Sequence, residues 1–553
     1  MRASSISRIV DSCRRAFSRY RVFNNGSCIA PWAGWCFIAI AVAYSTMAFV
    51  FSFAVDMGHV LLPLIAVSVL FFWALSHALR IDVAPSPSAG GQGALFVIPA
   101  LVLAVYLPLV WKGMLSSSDM VCQWKQAMGT VPVNDWHPIL HTYLIRLIAC
   151  FARTLRGVAI VQVCIFAFLL CLLYATFRRY GYCRWASVLI VLVAAFNPFS
   201  LAIFRFVWKD SAFALAGLAV TICQIHVFQT RGDWLRGWRI PLMALCLTAA
   251  TFLRHNGFFY TVPLAALLPM LVVRRNARKV FLCLGLAVLC CAGYLFARDR
   301  LTRSGVVSPR PAVQCFPESV GLPMCIMSEC YMADRSKTPH DVVQFLESFG
   351  DREFWEKSYR GNFNSIKFKF KSEAVDEKIY ALGKRRFFDM LWRTIRANPA
   401  AARNAFARVT SIAWSPLPES LGRCATGFPR RGLFFKTLGW YGAMMKRTTF
   451  GVLLTAPGSY LLLVVLAFCY GMIKIGPKVC ALAIPFVCYQ FGTMLLLTGN
   501  DHRFFYITVL CGAAVCLPIF SSARNCERDR EPASPGVVPP IGNLGRECRG
   551  IVP

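Results

Sequence analysis

Residues 158–177 read VAIVQVCIFAFLLCLLYATF, a run without a single charged side chain. An apolar stretch of about 18 or more residues is long enough to cross a bilayer as a helix. Comparable runs fall near 33–55, 58–79, 92–111, 157–176, 185–204, 211–229, 240–253, 258–273, 280–297, 449–473, 479–499 and 504–520. The two at 240–253 and 258–273 are short for spans and fit only if tilted, paired or partly misplaced. The expected fold class is therefore an all-α polytopic membrane protein of about twelve transmembrane helices. A mean hydropathy of +0.55 with 57% hydrophobic residues makes a soluble reading of the whole chain untenable.

The net charge of +33 suggests a nucleic-acid binder until it is located. Much of it sits in short links between apolar runs, and no soluble domain carries a basic stripe with interleaved aromatics, so nucleic acid is set aside. Most of the 24 cysteines lie inside apolar runs, where Cys behaves as a small hydrophobe. No CxxC pair has zinc spacing.

Arg2, Arg8, Arg14, Arg15, Arg19 and Arg21 precede the first run, which is too long for a cleaved signal and lacks a small-residue cleavage site. This reads as an uncleaved first span with a cytoplasmic N-terminus. Alternate links then carry Arg178, Arg179 and Arg184; Arg231, Arg236 and Arg239; Arg274, Arg275, Arg278 and Lys279; and Lys474 and Lys478. That alternation keeps basic links inside and predicts a multi-pass plasma-membrane protein with both termini cytoplasmic. The expected organisation is a basic tail (1–32), a transmembrane region (33–297) with an outer loop at 112–156, and an extracytoplasmic, mostly helical insertion (298–448). Further spans (449–520) and a disordered cytoplasmic tail (521–553) follow.

Within the insertion, 373–397 has helical spacing and Asn398-Pro399 should end it. Cys315, Cys325, Cys330 and Cys424 there are equally compatible with one disulfide or with free thiols.

The outer ends of the spans collect the polar residues. In SSSDMVCQWKQAMGTVPVNDWHPILHT (116–142), apolar positions from Ile139 to Phe151 recur at helical spacing, with Arg146 and Arg153 on the other face. This predicts a helix lying on the outer membrane surface, with Pro138 in its first turn and Asp135 complementing its dipole. His137 and His141, four apart, have metal-compatible spacing, but no third ligand is evident. Trp124, Trp136 and Trp208 are most simply interfacial belt residues. Arg205, Lys209, Arg254 and Arg503 go against the inward bias of positive charge. Each alone could snorkel; together they suit an anionic group such as a lipid phosphate.

These segments together resemble the GT-C superfamily of membrane glycosyltransferases, which take sugars from polyprenyl-phosphate carriers, and a poorly characterised bacterial branch of it. The resembling stretches are Asp119 with Gln123-Trp124, Asp135-Trp-His-Pro138 and its surface helix, Trp208-Lys-Asp210, Arg254-His-Asn-Gly257, Asn398-Pro399, and Asp501-His-Arg-Phe-Phe-Tyr506. The resemblance implies Asp119 as catalytic base and Lys209, Arg254 and Arg503 as donor-phosphate ligands. Asp135 and His137 are further catalytic candidates; Trp136, Asp210, Asn256 and His502 are supporting ones. Some members use a divalent cation with the acid, and the sequence leaves the metal open. The implied partners are a lipid-linked sugar donor, an envelope glycan, lipid or protein acceptor, and membrane lipid.

One carboxylate with several cations suits single inverting displacement of a phosphate, whereas a hydrolase favours two opposed carboxylates. A transporter or flippase of lipid-linked or envelope precursors is the alternative, but it would place ionisable residues near the midplane. An outer-face glycan polymerase or ligase is the third reading.

Overall fold

The computed structural model describes residues 94–309, 312–418, 432–497 and 501–528. The expected spans at 33–55 and 58–79, the tail 1–32 and Cys424 lie outside the described residues. Within them the chain is almost wholly helical, and the one sheet is a parallel pair of two-residue strands.

The first half comprises α1 (Ala94–Gly113), α2 (Ser118–Ala127), α3 (Ile139–Ala152), α4 (Leu155–Arg179), α5 (Arg184–Phe196), α6 (Pro198–Ile203), α7 (Lys209–Gln229), α8 (Arg239–Phe252), α9 (Phe258–Leu267) and α10 (Ala277–Arg303). The insertion contributes α11 (Ala312–Ser319), α12 (Gly321–Ala333), α13 (His340–Glu347), α14 (Arg352–Ser358), α15 (Asn364–Phe370), α16 (Ser372–Leu382), α17 (Lys384–Ala397) and α18 (Pro399–Trp414). The chain then forms α19 (Leu433–Arg447), α20 (Thr449–Thr455), α21 (Pro457–Lys474), α22 (Cys480–Met494) and α23 (Tyr506–Arg528).

Among the described residues, six helical segments are long and apolar enough to cross a membrane, or seven if the bent pair α1–α2 counts as one. Shorter apolar helices, α8 and α9 among them, run alongside. Membrane association of an all-α chain follows; a count of twelve does not. The physical mark of the bilayer is α10, whose Phe281, Leu282, Val288, Leu289 and Phe296 side chains are all exposed. Water would penalise such a helix, and lipid would not.

Side-chain bonds fix the helix directions. Gln162 of α4 donates to the Phe206 carbonyl before α7, while Thr176 and Tyr180 at the other end of α4 reach His226 near the end of α7. The two helices are therefore parallel, with α5 and α6 returning between them. The return is bent at Asn197-Pro198. Proline removes a backbone donor there, and the Asn197 carboxamide caps Phe199 N at 2.7 Å. A similar break at Ala456-Pro457 splits the expected 449–473 span, so the long helix begins at Pro457.

Two large cores organise the chain. One fills the bundle; the other gathers Val320, Tyr331, Trp355, Phe387 and Val409 of the insertion and continues onto Met494, Leu497 and Phe505 at the bundle end. The expected 373–397 helix is two helices, because Gly383, with φ of 75°, turns the chain in the left-handed region that glycine enters freely. Asn398-Pro399 does end α17, and Asn398 caps α18. Among the described residues no disulfide joins Cys315, Cys325 or Cys330. The last helix continues past Ser521 to Arg528, further than the expected start of the tail.

Candidate functional site

The site is built where α1 stops. The chain turns by 89° between α1 and α2. Arg205 clamps the turn: its Nε donates to the Gly113 carbonyl at 2.7 Å, and its own carbonyl accepts from Leu115 N at 3.0 Å. A guanidinium at a helix C-terminus satisfies a carbonyl that has no helical partner. Arg205 is buried, so it neither snorkels nor faces a ligand; it sets the angle at which α2 leaves.

Ser117 caps α2 by accepting from Met120 N at 3.2 Å, and also accepts from the indole Nε1 of Trp208 at 2.8 Å. Asp119 is thereby held in the first helical turn. Arg503, from a short 3-10 turn (His502–Phe505) entering α23, donates from Nη1 to Asp119 Oδ2 at 3.2 Å. Its Nε pairs with Asp501 Oδ2 at 2.8 Å. The guanidinium sits 5.0 Å from the Trp208 ring centroid, within cation–π range. Trp208 also stacks on Phe206 at 3.8 Å. It is a packed member of the site rather than a belt residue.

Lys209, opening α7, donates from Nζ to His137 Nδ1 at 3.4 Å, and is within electrostatic reach of Asp119, Arg503 and Arg254. Since an ammonium only donates, His137 must accept at Nδ1 and carry any proton at Nε2. Burial first, and Lys209 second, hold the His137 imidazole neutral by lowering its pKa. Burial does the same to His141, pushed down to about 3. His141 shares Nδ1 with Gln123 Oε1 at 3.0 Å, and Gln123 donates onward to Thr142 at 3.2 Å, which locks α2 to α3. For Asp119, burial works to raise the carboxyl pKa, but the cations beside it, Arg503 first and then Lys209, work the other way, and the group stays below the ordinary carboxylate value.

The other expected residues sit around this centre. Arg254 pairs with Asp210 at 2.5 Å, donates to the Phe504 carbonyl at 3.2 Å, and lies 4.6 Å over the Phe504 ring. Both members of that pair are buried, with side chains only 7% and 1% exposed. Asn256 donates to Thr493 at 2.7 Å, and His255 meets the Trp136 carbonyl at 3.3 Å. His502 is 2% exposed and packs edge-on to Phe199, its ring nitrogens without a hydrogen-bond partner among the described residues.

Asp135 departs from expectation. The cap position of α3 is Pro138, with no side-chain bond, and the Asp135 carboxylate turns away to Arg298 of α10 at 2.6 Å. Its amide donates to Ser308, extending the parallel pairing of β1 (Val133–Asn134) with β2 (Val307–Ser308). An ion pair across the chain outcompetes the weaker pull of the helix dipole.

The expected surface helix α3 has two distinct sides. His141, Thr142, Ile145, Ala149 and Ala152 face the protein, while Leu147 and Phe151 of the apolar stripe point outward. A helix with polar groups inward and hydrophobes outward fits a lipid boundary better than water.

Among the described residues no three His, Cys, Asp or Glu side chains converge as a metal set. Asp119 is met by cations, and the His137 nitrogen facing the cluster is met by Lys209, so the residues do not fit a divalent ion. Sequence reasoning missed Trp208 and Ser117 as site members. The only available signal was that Trp208 adjoins Lys209 and that Ser117 precedes Asp119. No family model, curated protein or solved structure matches this chain.

Proposed function

We propose that the chain is an integral-membrane glycosyltransferase of the GT-C type, moving a sugar from a polyprenyl-phosphate carrier to a cell-envelope acceptor by one inverting displacement. The observation that carries this reading is the meeting of Asp119 with Arg503 at 3.2 Å, with Lys209 and His137 beside them, at one end of an apolar helical bundle. These residues come from segments far apart in sequence, and a buried or half-buried charge cluster costs too much desolvation to be maintained as packing alone.

The chemistry asks for one base and for cations. Asp119 takes the proton of the acceptor hydroxyl, the acceptor oxygen bonds to the anomeric carbon, and the carrier phosphate leaves with the bond's electron pair. Arg503 and Lys209 stabilise the charge that grows on that phosphate. In the free protein Arg503 keeps Asp119 ionised but also weakens it as a base. A donor phosphate engaging Arg503 offsets that pull and strengthens the base once donor is present. Arg254, buried against Asp210 and the Phe504 carbonyl, braces the turn that carries Arg503; the phosphate contact passes to Arg503 and Lys209. Asp135 braces α10 and leaves the proton transfer to Asp119.

The experiment is mass spectrometry of envelope glycans and lipid-linked sugars in cells with the protein, without it, and with Asp119→Asn. Loss of one sugar with build-up of its carrier-linked form, in both the deletion and the variant, is the expected result. Unchanged glycans and carriers would reject the reading.

A further inference from the structure

The helix α19 was expected to belong to an extracytoplasmic domain, yet its setting is that of a boundary element. Phe435, Gly442 and Met445 form its buried face. Tyr441 donates at 2.9 Å to the carbonyl of Phe196, the last residue of α5, within the candidate span Arg184–Ile203. At its other end only α20 separates α19 from α21, another candidate span. The second attachment places it where a span begins, and the first lies one turn from Phe199, which packs on His502 at the start of the candidate span His502–Ser522.

Its free side is mixed in a particular way. Leu433 and Trp440, seven apart and so on one side of the helix, are 83% and 66% exposed. Lys436, Lys446 and Arg447 are exposed as well, and the helix carries no acidic residue. At 15 residues it is about 22 Å long, too short to cross a bilayer. Phe450, next on the chain, is also exposed. In water this surface would be a liability.

From this we propose that Leu433–Arg447 lies in the plane of the bilayer surface, with Leu433 and Trp440 in the acyl boundary and Lys436 and Arg447 on lipid phosphates. Indole rings favour that zone, and cations meet the phosphates there. The lipid contact also has a functional address, because Lys446 is within electrostatic reach of His502, the neighbour of Arg503. The inference needs the chain to be in a membrane, and it stands apart from the reaction proposed above.

The test places a fluorescent non-natural amino acid at Trp440 in the full chain, reconstituted in phosphatidylcholine–phosphatidylglycerol vesicles. A second sample carries it at Lys337, an exposed position of the insertion. Quenching at position 440 should be about twofold stronger with lipids brominated near the ester end than with lipids brominated near the chain terminus. Iodide should quench at 337 and barely at 440. Quenching at 440 by iodide and by neither bromolipid would overturn the proposal. So would protection from all quenchers that disappears on diluting the protein in lipid, which would mean that a second copy covers the helix.

Discussion

The two ends of the bundle use the same residue types in opposite ways. At one end Arg275 pairs with Asp233 at 3.1 Å, with side chains 76% and 51% exposed. Asn276 supports the same carboxylate at 3.0 Å, and Lys279 stands 3.8 Å from it. At the other end Arg503 meets Asp119 and Asp501 against Trp208, and Arg254 meets Asp210 out of solvent. Solvated pairs screen each other and contribute little. Buried pairs are costly to assemble and costly to break, which makes the site end the candidate for a functional role of charge.

Breaking the contrast at its strongest point means removing the carboxylate. Asp119→Asn should lower transfer by about 10² to 10⁴-fold with the protein still folded and inserted, measured as turnover of the carrier-linked donor in isolated membranes. Near-normal turnover would remove Asp119 as base.

Arg503 comes next. Arg503→Lys keeps the charge but loses the two-pronged geometry, and about a 10- to 100-fold loss is expected, larger for Arg503→Ala and seen mainly in donor KM. The pH profile sharpens the point. Arg503 contributes to the low pKa of Asp119, while burial pushes the other way. Without Arg503 the carboxyl pKa rises, so the acid limb of the rate profile should move to higher pH. An unmoved limb would separate the two groups.

A smaller effect concerns Trp208. Trp208→Phe keeps a ring beneath Arg503 but loses the indole bond to Ser117, and turnover should fall about 2- to 10-fold with donor KM little changed. Ser117→Ala should cost more than this bond alone, since it also removes the α2 cap. Adding Trp208→Phe to it should then cost almost nothing further. Additive losses would show that Trp208 acts by some other route. At the opposite end, Arg275→Ala should leave turnover and thermal stability unchanged within error.

The sequence made the bundle legible because uncharged runs of helix length have few alternatives. The convergence of Asp119 and Arg503 was legible only as shared sidedness, since 384 residues separate them. What stayed hidden was set by tertiary choice. The protein-facing side of α3 could not be read, because the seat of His141 on Gln123 is a tertiary contact between helices. Asp135 looked like a helix partner because Arg298 is distant in sequence. Arg205 looked like its neighbour Lys209, yet one closes a turn and the other faces His137.

The parallel pairing of Val133 with Val307 and Asn134 with Ser308 is the smallest element of the molecule. Mechanically it is a latch. It fastens the loop between α2 and α3 to the segment from which the insertion departs, with Arg298 and Asp135 as a second fastening nearby. The few backbone bonds contribute about 1 kcal/mol each, and buried Val133, Val307 and Ile139 pack beside them. The segment from which the insertion departs is thereby tied to the chain leading to His137, the partner of Lys209.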